Sequence, residues 1–249
     1  DRLIGMFAFA VWDKVNNELL LVRDRLGIKP LYYYQDNNNI IFSSEMRSVL
    51  ASQKVPRRLS QDGLIDYLRY QCVHQPNTIV DGVKILPEGH YMRVTSDGSE
   101  VKKYWSPILN TNSHDLSYDQ TKKEVYNKLL TAVERRLVAD VPFAAFLSGG
   151  IDSSAIVALM SQITNDVETF SISFAEEEFS EARYARKVSE MYKTNHHDIT
   201  LSPDEFLELL HEAIDDMDQP SGDGPNTYVF SKVRKEAGIT IDLSGIGGE

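Results

Sequence analysis

Near residue 106 the hydrophobic pattern of the chain changes period, and this change limits the folds open to it more than any other feature. From Gly5 to about Trp105 the pattern is mostly that of β-strands joined by short turns. Phe7 to Trp12, an Asn16-Asn17 turn and Leu19 to Val22 read as a hairpin, because Asn tolerates the positive φ that short hairpin turns use. Leu31 to Tyr34, an Asp36 to Asn39 turn and Ile40 to Phe42 read as a second, with the β-branched and aromatic content of strands. Ser60 then caps a predicted helix whose Leu64, Ile65 and Leu68 fall on one stripe. After Pro87, Tyr91 to Thr95 and Glu100 to Trp105 flank an Asp97-Gly98 turn. The stretch from Ser106 to Leu116 is polar and turn-rich, and it marks the boundary between two domains. Beyond it Val125, Leu129, Val133 and Leu137 recur every four residues on an amphipathic helix starting at Ser117. Strands and helices then alternate: Phe143 to Leu147, a helix from Ser153, Glu168 to Phe174, a helix from Glu181, Asp198 to Leu201, a helix from Pro203, a helix near Tyr228, and Ile239 to Leu243. Such alternation predicts a parallel sheet with helices on both faces.

Charge and cysteine content exclude several functions. The 249 residues hold 26 Lys and Arg against 37 Asp and Glu, a net charge of −11, so the surface repels phosphate backbones and anionic lipid. No nucleic-acid or membrane partner is expected. The longest wholly apolar run, Met6 to Trp12, falls far short of the roughly 18 residues of a spanning helix. The single cysteine, Cys72, allows no internal disulfide, and with no signal peptide visible a reducing cytoplasm is the simpler setting. Cys72 falls in a predicted helix and is expected to be a small buried hydrophobe. The chain opens at Asp1 without Met and closes on a strand and a glycine-rich turn with no helix to follow. It is therefore expected to be a fragment of a longer protein, and in isolation to expose apolar sheet and aggregate.

The chemistry concentrates in Phe143 to Leu147, Ser148-Gly149-Gly150-Ile151-Asp152-Ser153-Ser154 and the apolar helix that follows. A buried strand runs through a small-residue turn into a helix. Gly149 and Gly150 open backbone conformations closed to other residues and let an anion approach the main chain. Amides of the turn and first helical residues lack internal partners and point outward at the positive end of the helix dipole, a nest for phosphate. Ser148, Ser153 and Ser154 add hydroxyls. Asp152 would repel phosphate unless a hard cation such as Mg²⁺ lies between, so the string predicts a metal–nucleotide complex. A Walker-type loop, Gly-x-x-x-x-Gly-Lys-Ser/Thr, is absent.

This loop resembles that of the ATP pyrophosphatases, the PP-loop enzymes. Together with Thr169 to Phe174, Ser180 to Ala185 and Leu243-Ser-Gly-Ile-Gly-Gly248, it resembles, in order, landmarks of the glutamine-dependent asparagine synthetases. Upstream, Gly5 to Ala10, Arg23 to Tyr32, Phe42 to Glu45 and Leu86 to His90 resemble the second half of that family's glutaminase domain. The resemblance implies a two-domain α+β and α/β chain. Residues 1–108 would be the C-terminal half of an N-terminal-nucleophile (Ntn hydrolase-like) glutamine amidotransferase β-sandwich, 109–116 a linker, and 117–249 the start of a PP-loop synthetase with a doubly wound parallel sheet. It further implies that ATP adenylates aspartate and that ammonia from glutamine attacks the β-aspartyl-AMP, releasing asparagine, AMP and pyrophosphate. Ser148 to Ser154 would hold the pyrophosphate portion of ATP, with Asp152 on Mg²⁺. Leu147, Ile172, Ser244 and Gly245 would line the adenosine pocket, with Gly247 and Gly248 in the same second loop. Asp223 and Asn226, in a Gly- and Pro-rich loop, would touch the carboxylate substrate, and a homodimer is implied. Apart from the resemblance, Leu147 and Ile172 fall on predicted core strands and read as packing residues, and 218–226 reads as a plain loop in which Asn226 or Thr227 caps the next helix.

The chain also departs from the family. Gly248-Glu249 stands where an acidic pair is usual, and Asp1 is not the cysteine whose own α-amine serves as base, so the fragment is not expected to hydrolyse glutamine. His196-His197-Asp198 suggests metal ligands, but neighbours on a strand point to opposite faces and no matching pair occurs elsewhere. The acidic groups Glu176 to Glu178 and Asp215-Asp216-Met217-Asp218 read as solvated surface. Glu181 reads either as a family acid or as a first-turn helix residue. Three functions compete: the synthetase, a related amidotransferase or cyclase acting on another carboxylate, and a non-catalytic ATP-binding remnant.

Overall fold

The computed structural model describes residues 2–107, 116–174, 182–236, 238 and 240–244. The chain divides into two compact units, one formed by residues 1–111 and 216–224, the other by 112–215 and 225–249. The expectations for Glu176 to Glu178, Glu181, Gly245, Gly247, Gly248, Glu249 and most of the linker lie outside the described residues.

In the first unit, β1 (Ala8–Asp13) and β2 (Glu18–Arg23) form one hairpin and β3 (Tyr32–Gln35) and β4 (Ile40–Ser43) another. Local side chains set both turns. Asp13 Oδ1 accepts from the amides of Val15 and Asn16 at 2.8 and 3.1 Å, and Asp36 Oδ1 accepts from those of Asn38 and Asn39 at 2.8 Å each, the Asx geometry that makes Asp a turn former. After α1 (Met46–Ala51) and α2 (Gln61–Tyr70) come β5 (Val83–Ile85), β6 (His90–Thr95) and β7 (Gly98–Lys103). The sheets are antiparallel, ordered β1-β2-β6-β7 and β4-β3-β5. Thr95 pairs with Gly98, so the last turn is Ser96-Asp97, one residue earlier than expected. Leu21 and Met92 of the first sheet share a core with Leu31, Leu86 and Tyr33, while Tyr32 packs with Met46 and Val49 of α1. The smaller sheet is thus covered on both faces, each buried aliphatic contributing about 1.5–3 kcal/mol.

Three further expectations fail in this unit for identifiable reasons. Ser60 does cap α2, accepting from the Gly63 amide at 3.1 Å. The helix, however, turns Gly63 inward, where a Cβ would meet the Thr78 carbonyl oxygen at 2.5 Å, leaving Ile65 and Leu68 47% and 73% exposed. The helix stops at Gln71, which adopts φ 56°, so Cys72 lies beyond it and is exposed, not buried. Asp218 is not plain solvated surface: its carboxylate accepts from the amides of Met46 and Arg47 at 2.7 and 3.2 Å and from Arg47 Nε at 3.0 Å, capping α1. Gln219 Oε1 accepts from the Ile79 amide at 2.9 Å, and the Gly222 amide donates to the Gln71 carbonyl at 2.9 Å. These bonds seat residues 216–224 in the first unit.

The second unit opens with α3 (Tyr118–Arg136), started by a capping box between Ser117 and Gln120. Its four-residue apolar repeat packs at the C-terminal end, where Val133 is buried with Leu130 and Leu137 beside it; Val125 and Leu129 are about half exposed. There follow β8 (Phe143–Phe146), α4 (Ile151–Ile163), β9 (Glu168–Phe174), α5 (Ala182–Tyr192), β10 (Asn195–Leu201), α6 (Pro203–Asp216), α7 (Gly224–Glu236) and β11 (Ile241–Leu243). The strands form a parallel sheet ordered β10-β9-β8-β11. Ala145 and Leu147 pack on one face with Val133, Val157, Met160 and Ala185 from α3, α4 and α5. On the other, Ala144 clusters with Phe170, Phe146 and Ile199, and Phe230 of α7 lies 5.9 Å from Phe146. β8, β9 and β10 are laid down in one direction and β11 returns to the far side of β8, so the strand order reverses between β8 and β11. Crevices at such switch points are where open α/β sheets bind ligands.

Candidate functional site

The turn from β8 into α4 is built by glycine and serine in different ways. Gly149 has φ +82°, and a Cβ there would lie 2.4 Å from Tyr184 Cβ and 2.7 Å from the Ala185 nitrogen. Only glycine lets this turn close against α5. Gly150, by contrast, is the N-cap at φ −70° and ψ 168°, a conformation open to any residue, which corrects the expectation that both glycines are needed for their backbone freedom. Among the described residues no side chain caps α4, which leaves its first-turn amides available to an anion. Ser148 Oγ lies 3.0 Å from Ser153 Oγ and accepts from the Gly150 amide at 3.2 Å. Ser154 Oγ donates back to the Gly150 carbonyl at 2.6 Å.

A cavity of about 500 Å³ opens at this turn. Of the anticipated residues, Ser148, Asp152 and Ser153 line it from the turn, and Leu147, Ile172 and Ser244 from the strand ends. Asp152 is exposed in the first turn of α4. Gly149, Gly150 and Ser154 shape the turn without lining the cavity. Asp223 precedes α7 and Asn226 lies inside its first turn, so the helix begins earlier than a cap at Asn226 or Thr227 would require. Neither lines the cavity.

The cavity also draws on residues to which the sequence assigned no role in the site: Phe146, Phe170, Asp242, and Thr227, Phe230 and Ser231 of α7. Positions 227, 230 and 231 share a helix face, a spacing visible in the sequence but unassignable without knowing which strand α7 covers. Asp242 is ion-paired with Arg234 of α7. Burial holds the Arg234 guanidinium below its ordinary pKa, and its buried Nε has no partner among the described residues.

Beside the cavity a polar seam joins β9 to β10. Ser171, on the cavity wall, contacts His196 Nε2 at 3.2 Å and Asp198 Oδ1 at 3.4 Å; Thr169 Oγ1 holds His196 Nδ1 at 3.0 Å, and Arg186 donates to Asp198 Oδ2 at 2.6 Å. Burial lowers the pKa of His196. It raises that of Asp198, but hydrogen bonds from Arg186 and Ser173 outweigh it and hold the carboxyl below its usual range. His197 faces the other way, stacked on Phe170 at 4.6 Å and bonded to Glu168 at 2.7 Å. Among the described residues no group of three His, Cys, Asp or Glu side chains could hold a metal ion, and no helix is long and apolar enough to cross a membrane.

Residues 124–249 match the family described as asparagine synthase. The chain belongs to that family. Residues 1–105 match the glutamine amidotransferase domain, so this asparagine synthase family chain joins a largely antiparallel amidotransferase unit to a parallel α/β synthase unit. Among its relatives, asparagine synthetase [glutamine-hydrolyzing] 3 of Bacillus subtilis is 33% identical over 264 residues, 98% of this chain and 42% of that protein. Asparagine synthetase [glutamine-hydrolyzing] 1 of the same organism is 33% identical over 253 residues, 100% of this chain and 39% of that protein. The chain thus spans about two fifths of the length of these relatives.

Proposed function

We propose that the protein containing this chain makes asparagine from aspartate, using ATP and ammonia released from glutamine. One observation carries the reading: an uncapped helix N-terminus and a serine-lined turn open on a cavity at the switch point of a parallel sheet. In this reading residues 117–249 are the start of a PP-loop synthetase, 1–108 the C-terminal half of an Ntn-type glutaminase, and 109–116 the linker; the setting is cytoplasmic and the assembly a homodimer.

ATP enters with its phosphates on the α4 turn, where Ser148, Ser153 and the first-turn amides donate to the oxygens, and with its adenosine along Leu147, Ile172, Ser244 and Gly245. Asp152 is suited to Mg²⁺, which takes one or two carboxylates and completes its shell with phosphate oxygens and water, so a single exposed Asp beside the nest suffices. The ion, when bound, neutralises phosphate charge. The aspartate carboxylate then attacks the α-phosphorus, forming a carboxyl–phosphate bond as pyrophosphate leaves. Ammonia attacks the acyl carbon of the resulting β-aspartyl-AMP, loses a proton and expels AMP. Asp223 and Asn226 are retained as proposed contacts of the carboxylate substrate.

The test supplies the full-length protein with ATP, Mg²⁺, aspartate and ammonia, and follows AMP and asparagine together. Equal amounts of both support the reading. AMP formed only with a different carboxylate assigns the site to a related amidotransferase or cyclase, and ATP binding without turnover assigns it to a non-catalytic remnant.

A further inference from the structure

Thr169, Ser171 and Ser173 share one face of β9 and are buried, where a parallel sheet covered by a helix ordinarily presents Val, Ile or Leu. On β10 His196 and Asp198 stand opposite Thr169 and Ser171, and α5, which packs on both strands, adds Arg186. The hydrogen bonds of this row run in one direction. Asp198 only accepts, from Ser171 at 3.4 Å, Ser173 at 3.0 Å and Arg186 at 2.6 Å. With its hydrogen given to Asp198, Ser171 Oγ accepts from His196 Nε2 at 3.2 Å. His196 Nδ1 is then the acceptor for Thr169 Oγ1 at 3.0 Å, which accepts in turn from Thr194 Oγ1 at 2.8 Å. A neutral imidazole thus satisfies the whole row. A proton added at Nδ1 meets a hydroxyl hydrogen, so the Thr169 and Thr194 hydroxyls must both turn over, and a charge enters a half-buried seam. The charged or titratable groups around the ring are Asp198 and His197 on β10 and Arg186 on α5. His197 is turned away onto Phe170 and Glu168, and Asp198 is already paired with Arg186, so burial outweighs its attraction and favours the neutral ring. The row meets the cavity at Ser171, and its neighbours Phe170 and Ile172 line the same wall.

We propose that neutral His196 is the positioning residue of this wall: it holds Ser171, and with it the β9 side of the cavity, in the arrangement that takes a nucleotide, so that proton uptake by the ring opposes nucleotide binding. The proposal rests on the ATP reading above and adds to it a regulation of the same site by pH. Its sign is opposite to that of through-space attraction, in which an imidazolium would favour a triphosphate. His196 acts through Ser171 and does not itself touch the ligand.

Equilibrium binding of Mg²⁺-ATP and of uncharged adenosine to the full-length protein, from about pH 7.5 to about pH 5.5, tests it together with the His196 titration followed by NMR. Both ligands should bind about five- to tenfold more weakly at the acid end. By linkage, saturating adenosine should move the His196 titration to lower pH by the same factor. His196→Gln, whose amide offers a donor and an acceptor as the neutral ring does, should flatten both binding profiles. His196→Leu, which fills the space without hydrogen bonds, should bind weakly across the range. Tighter ATP binding on acidification with adenosine unchanged would overturn the proposal in favour of through-space attraction. So would a wild-type His196 titration indifferent to adenosine, a result that needs no variant. Absence of binding by either ligand at every pH would remove the ATP reading, and this inference with it.

Discussion

Replacing Gly149 by Ala probes the turn that places the nucleotide nest, and its magnitude follows from two separate terms. Alanine at φ +82° carries the left-handed penalty of about 1–2 kcal/mol. The added methyl would also sit 2.4 Å from Tyr184 Cβ and 2.7 Å from the Ala185 nitrogen. Those atoms belong to the α5 backbone and its first side-chain carbon, so they cannot swing aside, and overpacking of this kind costs about 1–3 kcal/mol. Together the terms predict a loss of about 2–5 kcal/mol from a domain whose total stability is of order 5–15 kcal/mol. Gly150→Ala is the matched control. Its φ is −70° and its nearest obstacle is the rotatable Ser148 Oγ at 3.2 Å, so its effect should stay under about 1 kcal/mol. Amide hydrogen exchange across α4 and α5 measures both, with β2 and β6 of the first unit as an internal reference. Gly149→Ala should speed exchange in α4 and α5 by roughly 30-fold or more, since about 1.4 kcal/mol is a factor of ten, and leave the reference strands unchanged. Equal protection in the two variants would refute the steric argument.

Other perturbations separate charge from packing. Asp152→Asn should slow ATP-dependent AMP release about 10²- to 10³-fold without shifting the melting temperature, because the exposed side chain neutralises a ligand's charge through a cation and supports no core; unchanged turnover at saturating Mg²⁺ would remove Asp152 from that role. His196 has a folded pKa below its ordinary 6.5, so its contribution is complete above that pH and is lost as the pH falls through the folded value. Asp198, depressed below 3.8, adds a second loss at lower pH. The second unit should therefore weaken progressively below pH 6.5, and His196→Gln should flatten that first limb in a pH series of thermal melts while keeping the acid one; an unaltered slope would contradict it. Asp218→Ala removes two backbone caps and an ion pair from α1 and should destabilise the first unit by about 1–2 kcal/mol, measured as a lower urea midpoint of Trp12 and Trp105 fluorescence.

Features set by neighbouring residues could be read from the sequence, because their physics is local. Turn geometry at Asp13 and Asp36 depends on amides two or three positions away, as do the caps of Ser60 and Ser117. The string Ser148 to Ser154 announces an anion site for the same reason: small residues between a strand and a helix leave the amides uncovered whatever surrounds them. Alternating period likewise determined a parallel α/β half after residue 117. The tertiary structure decided everything that depends on which elements become neighbours. Hydrophobic period could not tell that Gly63 would face inward in place of Ile65 and Leu68, since close approach to Thr78 selects that face. Nor does any local signal assign Asp218 to cap a helix 172 residues earlier in the chain. Asp242 reaches the cavity because β11 returns beside β8, nearly a hundred residues apart in sequence, and α7 then brings Phe230 to the same wall. Backbone propensity acts over a few residues, but a binding site is assembled by strand order, and strand order is a property of the whole packed sheet.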